Sequence, residues 1–517
     1  MMKRYAMILC AVWMLVGCGT QVPEVFTEKD VLPRIYPDYI GVTIPVNVAP
    51  LTFALDEPAD GMVARYTAGD VEIVCSGKMQ PDTDEWHQLI SQATKPGRIK
   101  VDVYAKESSK EMSSKEMSGK ETGGWVHYKP FDIYVSPDSI DPYISYRLIP
   151  PSFVSYEALT ISQRCLENYD ESVIYDNMLC GFEKEGQCIN CHSYQQYNPN
   201  RMQFHARQKS GGTVIAYDGQ IKKVNMRNDS ILSAGVYPAW HPWLKLIVYS
   251  TDQTHQAFHT VDPNKIEVFD SESDIIAYDI DRGVVMNLEN DTTEMEVFPA
   301  WAPDGRTLYY CSAHFEREDS TASRNMEVVR RAKDLHYNLY KKSFDPETRQ
   351  FGPRELVFSA DSLGRSAVLP RISADGRYLI FTMGSYGYFH IWHHDADLWM
   401  LDLQTGEARA LDEINSDDTE SYHTWSSSGR WLVFSSRRDD GSYTRPFFAH
   451  LGDDGRFGKP FELPTADPLY HRQLLRCYNI PEFMRGPVTI SPQTFADVLK
   501  GEGEPVRYGE LKNLKIK

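Results

Sequence analysis

The sequence predicts a mainly β protein organised around a β-propeller, and three observations carry that expectation. Four stretches align with one another: YPAWHPWLKLIVYSTD at 237–252, VFPAWAPDGRTLYYCSA at 297–313, VLPRISADGRYLIFTMG at 368–384 and SYHTWSSSGRWLVFSSR at 421–437. Each reads as a strand, a tight turn and an apolar strand, and a second strand pair follows, as in DLWMLDLQTGEARAL at 397–411. Four-stranded units recurring along a chain mark a propeller, because one unit cannot bury its faces alone. Aromatic residues make up 12% of the chain, and Gly and Pro fall in turn contexts between short strand-like runs. Five or six blades are expected over 201–490, with a degenerate first blade at 204–225 and a closing strand within 470–490.

The elements ahead of the repeats follow in order. Lys3 and Arg4 precede an apolar run, Ala6 to Val16, that is too short to span a bilayer. Leu15-Val16-Gly17-Cys18 resembles a bacterial lipobox, which implies a signal peptide over 1–18 and lipidation of Cys18. The expected location is the cell envelope, lipid-anchored and facing the periplasm or carried on the outer membrane, with acyl chains rather than a helix as the tether. Residues 19–152 read as a β-sandwich, from runs such as GVTIPVNVAPLTFAL, VEIVCSG, IKVDVYAK and YISYRLI. The five-residue repeat in SSKEMSSKEMSGKET at 108–122 is polar throughout and reads as a solvated loop. Residues 153–200 read as a partly helical linker, and 491–517 as a C-terminal tail. A formal net charge of −18 argues against nucleic acid as a partner.

The linker ends on Cys188-Ile189-Asn190-Cys191-His192. Two thiols two residues apart reach the two vinyl groups of one porphyrin, and the next His reaches its iron, so the spacing predicts one covalent haem c. Cys188 and Cys191 are then the attachment points and His192 the proximal ligand. Two alternatives stand beside it: a zinc site of Cys180, Cys188, Cys191 and His192, and thiol chemistry tuned by the His. Downstream, RMQFHARQ at 201–208 reads as a strand, so Met202, Phe204 and Ala206 share one face while Gln203, His205 and Arg207 share the other. The sixth iron ligand is therefore His205 or Met202 but not both, with Arg207 a candidate partner of a haem propionate. His241, His314 and His423 are weaker distal candidates, each in or near a repeat. His390, His393, His394, Asp395 and Asp397 crowd one polar stretch without matching a known metal-ligand spacing. Cys75, Cys165, Cys180, Cys311 and Cys477 remain, and spacing allows a Cys165–Cys180 bridge without requiring it.

Two resemblances complete the reading. PAWAPDGRTLYYCSA is similar to the repeat of TolB-type (WD-repeat-like) propellers, although 374–376 and 427–429 depart from its Pro-Asp-Gly turn and HPWLK lacks the glycine. The whole arrangement resembles envelope lipoproteins with a single Cys-x-x-Cys-His before TolB-like repeats, a cytochrome c-related group. That implies electron transfer, or redox-linked docking of a protein partner; a non-redox TolB-like scaffold is the alternative. No Gly-x-Ser-x-Gly elbow and no second haem motif occurs, so an enzyme is the less expected class.

Overall fold

The computed structural model describes residues 21–77, 79–94, 97–108, 124–151, 158–180, 188–319 and 321–511. Cys18 and nearly all of the 108–122 repeat lie outside the described residues.

The strands build six four-stranded units about one axis. Blade 1 runs Ile189–Tyr194, Arg201–Ala206, Gly212–Tyr217 and Gln220–Asn225 from the axis outward. Blades 2 to 5 follow in chain order, with inner strands Val236–Trp240, Glu294–Trp301, Ser366–Ile372 and Glu420–Trp425. Blade 6 is composite. Its inner strand, Cys477–Met484, comes from the end of the chain, while Tyr143–Ile149, Thr160–Cys165 and Glu171–Asp176 supply the other three. The expected partly helical linker is thus mostly blade: outer strands of blade 6, a short 3-10 turn at Asn177–Cys180 and the first strand of blade 1. Its alternating Ile161 and Ile174 are core residues of a sheet, a period that the neighbouring helix-like spacing obscured.

The N-terminal unit also differs from the expected sandwich. Its strands form one mixed seven-stranded sheet, in which Thr27–Lys29 and Thr43–Pro45 pair in parallel with later strands. The second layer is the helix Thr83–Ala93. Asp82 caps it by accepting from the N–H groups of Asp84 and Glu85, and Trp86, Leu89, Ile90 and Ala93 form its buried stripe. This core merges with blade 5 through Trp431, Val433, Phe448 and Phe461. There Asp138 accepts from Arg430 Nε at 3.1 Å, and its carbonyl accepts from Trp431 Nε1 at 3.2 Å.

The C-terminal tail is a strap. Ser491 caps the helix Pro492–Lys500, whose Phe495, Ala496 and Leu499 fill the seam between blades 6 and 1. Glu504–Pro505 and Arg507–Tyr508 then pair in parallel with the outer strands of blades 1 and 2.

Blade 2 carries the largest departure from the repeat. Its second and third strands, Leu246–Phe258 and Ile266–Asp279, run on past the blade as a long hairpin, bending at a register shift between Asp252 and Thr254. The hairpin reaches blade 4. Glu267 accepts from Tyr386 Oη at 2.9 Å and lies 3.0 Å from His393 Nε2, while Asn264 Oδ1 accepts from the His394 N–H at 3.0 Å.

Candidate functional site

Every inner strand breaks register at one bulge, and the six bulges are equivalent. A residue with positive φ opens each: Cys191 (55°), Tyr237 (48°), Phe298 (54°), Leu369 (57°), Tyr422 (45°) and Ile480 (52°). Positive φ is unfavourable for such side chains and persists only where packing imposes it. Here the six converge on the axis and line one cavity of about 30 Å³, the room of a single water. They close the channel of the propeller.

The residue after each bulge opener is Pro238, Pro299, Pro370 or Pro481 in four blades, His423 in blade 5 and His192 in blade 1. A bulge removes one N–H from the ladder, so proline fits there without losing a bond. Cys191-His192 is therefore the blade 1 copy of Tyr-Pro, Phe-Pro, Leu-Pro, Tyr-His and Ile-Pro. The sequence comparison missed this because the blade 1 copy lacks both the proline and the Asp-Gly turn.

Blade 1 departs from the repeat at a third position. His205 pairs with Asn190, the residue before the bulge. In blades 2 to 5 that partner is small: Ser250, Cys311, Thr382 and Ser435. The substitutions of the repeat at Cys191, His192 and His205 thus gather in one blade.

The surroundings of each are distinct. Cys191 is buried, its sulfur accepts from the Tyr237 N–H at 3.5 Å, and burial pushes its thiol up to about 11. Its carbonyl accepts from Gln203 Nε2. Cys188 is half-buried one turn of chain earlier. His192 is 1% exposed and faces the Ser145 backbone of blade 6, with neither ring nitrogen in a well-formed hydrogen bond. Burial, then Arg147, hold its pKa down near 3, so the ring is neutral. Met202 is fully buried with Phe204 and Ala206 in the apolar core, where Phe204 stacks on Tyr175 at 5.3 Å.

His205 and Arg207 look the other way, onto a second and much larger space. A cavity of about 660 Å³ lies between blades 1 and 2, where the long hairpin leaves the blade. His205 Nδ1 sits 3.1 Å from Thr213 Oγ1, and burial, then Arg207 and Arg227, hold its pKa near 3. The Arg207 N–H donates to the Cys188 carbonyl at 2.9 Å, while its exposed side chain lines the cavity. Asp252 lies across from it with its pKa raised to about 6 by burial, which Arg207 partly offsets.

These placements bear on the expected cofactor. The donor types for a haem c are present, as two free thiols and an imidazole with unpartnered nitrogens. The space is not: a porphyrin needs several hundred cubic ångströms, against about 30 Å³ beside Cys191 and His192. His192 and His205 line different cavities on opposite sides of blade 1. The residues in this arrangement do not fit a haem held by His192. The zinc alternative meets a similar obstacle, since among the described residues no three His, Cys, Asp or Glu side chains gather as a metal site. Cys180 instead meets Tyr175 Oη at 3.1 Å.

The remaining candidates hold the frame together. His241 Nε2 lies 2.9 Å from the Gly305 carbonyl, and His423 Nε2 3.0 Å from that of Ile380. His314 is an exposed partner of Glu294 at 3.1 Å. In the histidine-rich stretch, His390 bonds the Tyr386 and Gly387 carbonyls, His393 and His394 anchor the hairpin, and Asp395 accepts from Ser385. Cys165 and Cys180 are both free.

On the opposite mouth, a cavity of about 300 Å³ is framed by Trp240, Trp301 and Trp425 around Arg371 and Glu482, which stand 3.6 Å apart. Burial raises the Glu482 pKa to about 7, and Arg371 pulls it back.

No protein-family model and no curated protein matches the chain. Among solved structures it is similar to TolB from Acinetobacter baumannii, at 12% identity over 78% of this chain and 85% of that one, with a TM-score of 0.41. A hypothetical selenium-binding protein from Sulfolobus tokodaii gives 8% identity, 69% and 96% coverage and a TM-score of 0.40. The β-propeller domain of the trilobed protease from Pyrococcus furiosus gives 12% identity, 70% and 94% coverage and a TM-score of 0.30. The fold is a β-propeller on its own strand order; similarity at this level says nothing of activity.

Proposed function

We propose that the protein is a lipid-anchored cell-envelope binding protein, a propeller scaffold without redox turnover, in which Cys191 and His192 serve the channel axis. The observation that carries this reading is the equivalence of Cys191-His192 to the five other bulges, which supports a structural role for the motif. Two cavities, of about 660 Å³ between blades 1 and 2 and about 300 Å³ at one mouth of the channel, suit recognition. The anchor rests on the lipobox-like residues ending at Cys18. Among the described residues no helix is long and apolar enough to cross a membrane.

A haem-bearing electron carrier is the competing reading, favoured by the unpartnered nitrogens of His192. Expression with c-type haem maturation machinery, followed by a reduced pyridine-haemochrome spectrum, separates the two. The binding reading expects no covalent haem; stoichiometric haem surviving denaturing electrophoresis overturns it.

A further inference from the structure

The 660 Å³ cavity between blades 1 and 2 has a definite chemical character. Arg207 and Arg227 both act on the buried ring of His205 and are exposed side chains of the lining, and among the described residues no carboxylate stands at ion-pair distance from Arg207. Asp252 is the single acidic side chain in the lining. In a chain of net charge −18, two arginines and Lys209 around one concave space stand out against the global charge. Repeat substitution supplies an independent line. The position of His205 is a serine, threonine or cysteine in blades 2 to 5 and Arg147 in blade 6, so blade 1 alone places an imidazole there.

We propose that this cavity binds a small organic or inorganic anion bearing carboxylate or phosphate groups, held by Arg207 and Arg227 with His205 donating from Nε2. The inference rests on the reading of the protein as a binding propeller and gives that reading a ligand class. Guanidinium forks match the planar carboxylate and the phosphate in two-pronged fashion, which a lysine does not. Thr213 Oγ1 lies 3.1 Å from Nδ1, and when that hydroxyl donates, the neutral ring carries its proton on Nε2. The volume admits a compact multivalent anion with its first waters and excludes a folded polypeptide.

Isothermal titration calorimetry of the full mature chain with citrate and, separately, with inorganic phosphate tests this. The expected result is one-to-one binding of at least one probe, weakened tenfold or more in Arg207→Gln and in Arg227→Gln. Citrate alone binding identifies a carboxylate site, and phosphate alone a phosphate site. No heat from either at millimolar concentration, or affinity unchanged in both variants, overturns the proposal. Circular dichroism melts of the variants exclude misfolding as the cause of lost binding. The haemochrome test leaves this outcome untouched, so the two readings fail independently.

Discussion

The N–H of Tyr237 donates to the sulfur of Cys191 at 3.5 Å, so a single thiol ties blade 1 to blade 2 at the axis of the propeller. A sulfur in that role is a structural acceptor. Its burial and high pKa leave almost no thiolate at neutral pH.

Alkylation distinguishes the two cysteines of the motif. At pH 8 under native conditions, iodoacetamide is expected to label the half-buried Cys188 and to spare Cys191, as read by peptide mass spectrometry. Equal labelling of both would contradict the closed ring. Cys191→Ala should cost about 1–3 kcal/mol, because it strips the Tyr237 N–H of its acceptor.

His192→Pro asks the propeller directly what its first bulge needs. Four other blades place proline there, and no ladder bond spans the bulge between Asn190 and Ser193. The variant should melt within about 1 kcal/mol of the parent and on the stabilising side, through lost freedom in the unfolded chain. Collapse of the fold would show that the imidazole has a partner of its own.

Glu296 sets an alkaline limit. It is fully buried in blade 3, and burial, with Asp274 the next contributor, raises its pKa from 4.5 to about 9. The folded state therefore holds a proton that the unfolded chain has released, between pH 4.5 and 9. Stability from this group is complete below that window and is lost as the pH climbs through it. Glu296→Gln should flatten the fall in melting temperature between pH 7 and 9, and an unchanged slope would assign the loss elsewhere.

Glu267→Leu should free the hairpin of blade 2 from blade 4. The carboxylate is buried between His393 and Tyr386, and breaking such a pair costs about 3–5 kcal/mol. Hydrogen exchange is expected to speed up across 252–270 while the inner strands keep their protection. Uniform acceleration over the whole chain would point to global destabilisation.

The propeller was legible wherever a blade is contiguous in sequence, because an inner strand, a tight turn and an apolar strand sit side by side. Blade 6 was not, since Tyr146 and Tyr478 meet only after the ring closes. The helix at Thr83–Ala93 had a readable signal, an Asp82 cap followed by Trp86, Leu89, Ile90 and Ala93 at helical spacing, which the surrounding strand-like runs masked. The Cys-x-x-Cys-His spacing brings two thiols and an imidazole together along the chain but carries nothing of the space around them, and the bulged strand turns His192 and His205 towards different cavities.

The composite sixth blade also sets the order of events at birth. Strands from 143–176 are made early and wait with an unpaired edge for Cys477–Met484, more than three hundred residues behind. Ring closure is therefore the slowest contact to form, since the loop it closes is nearly the whole propeller. Until that strand arrives the molecule is an open arc with a sticky rim. A nascent chain stalled anywhere before the final strand consequently keeps that edge bare, and the last forty residues decide whether the ring closes.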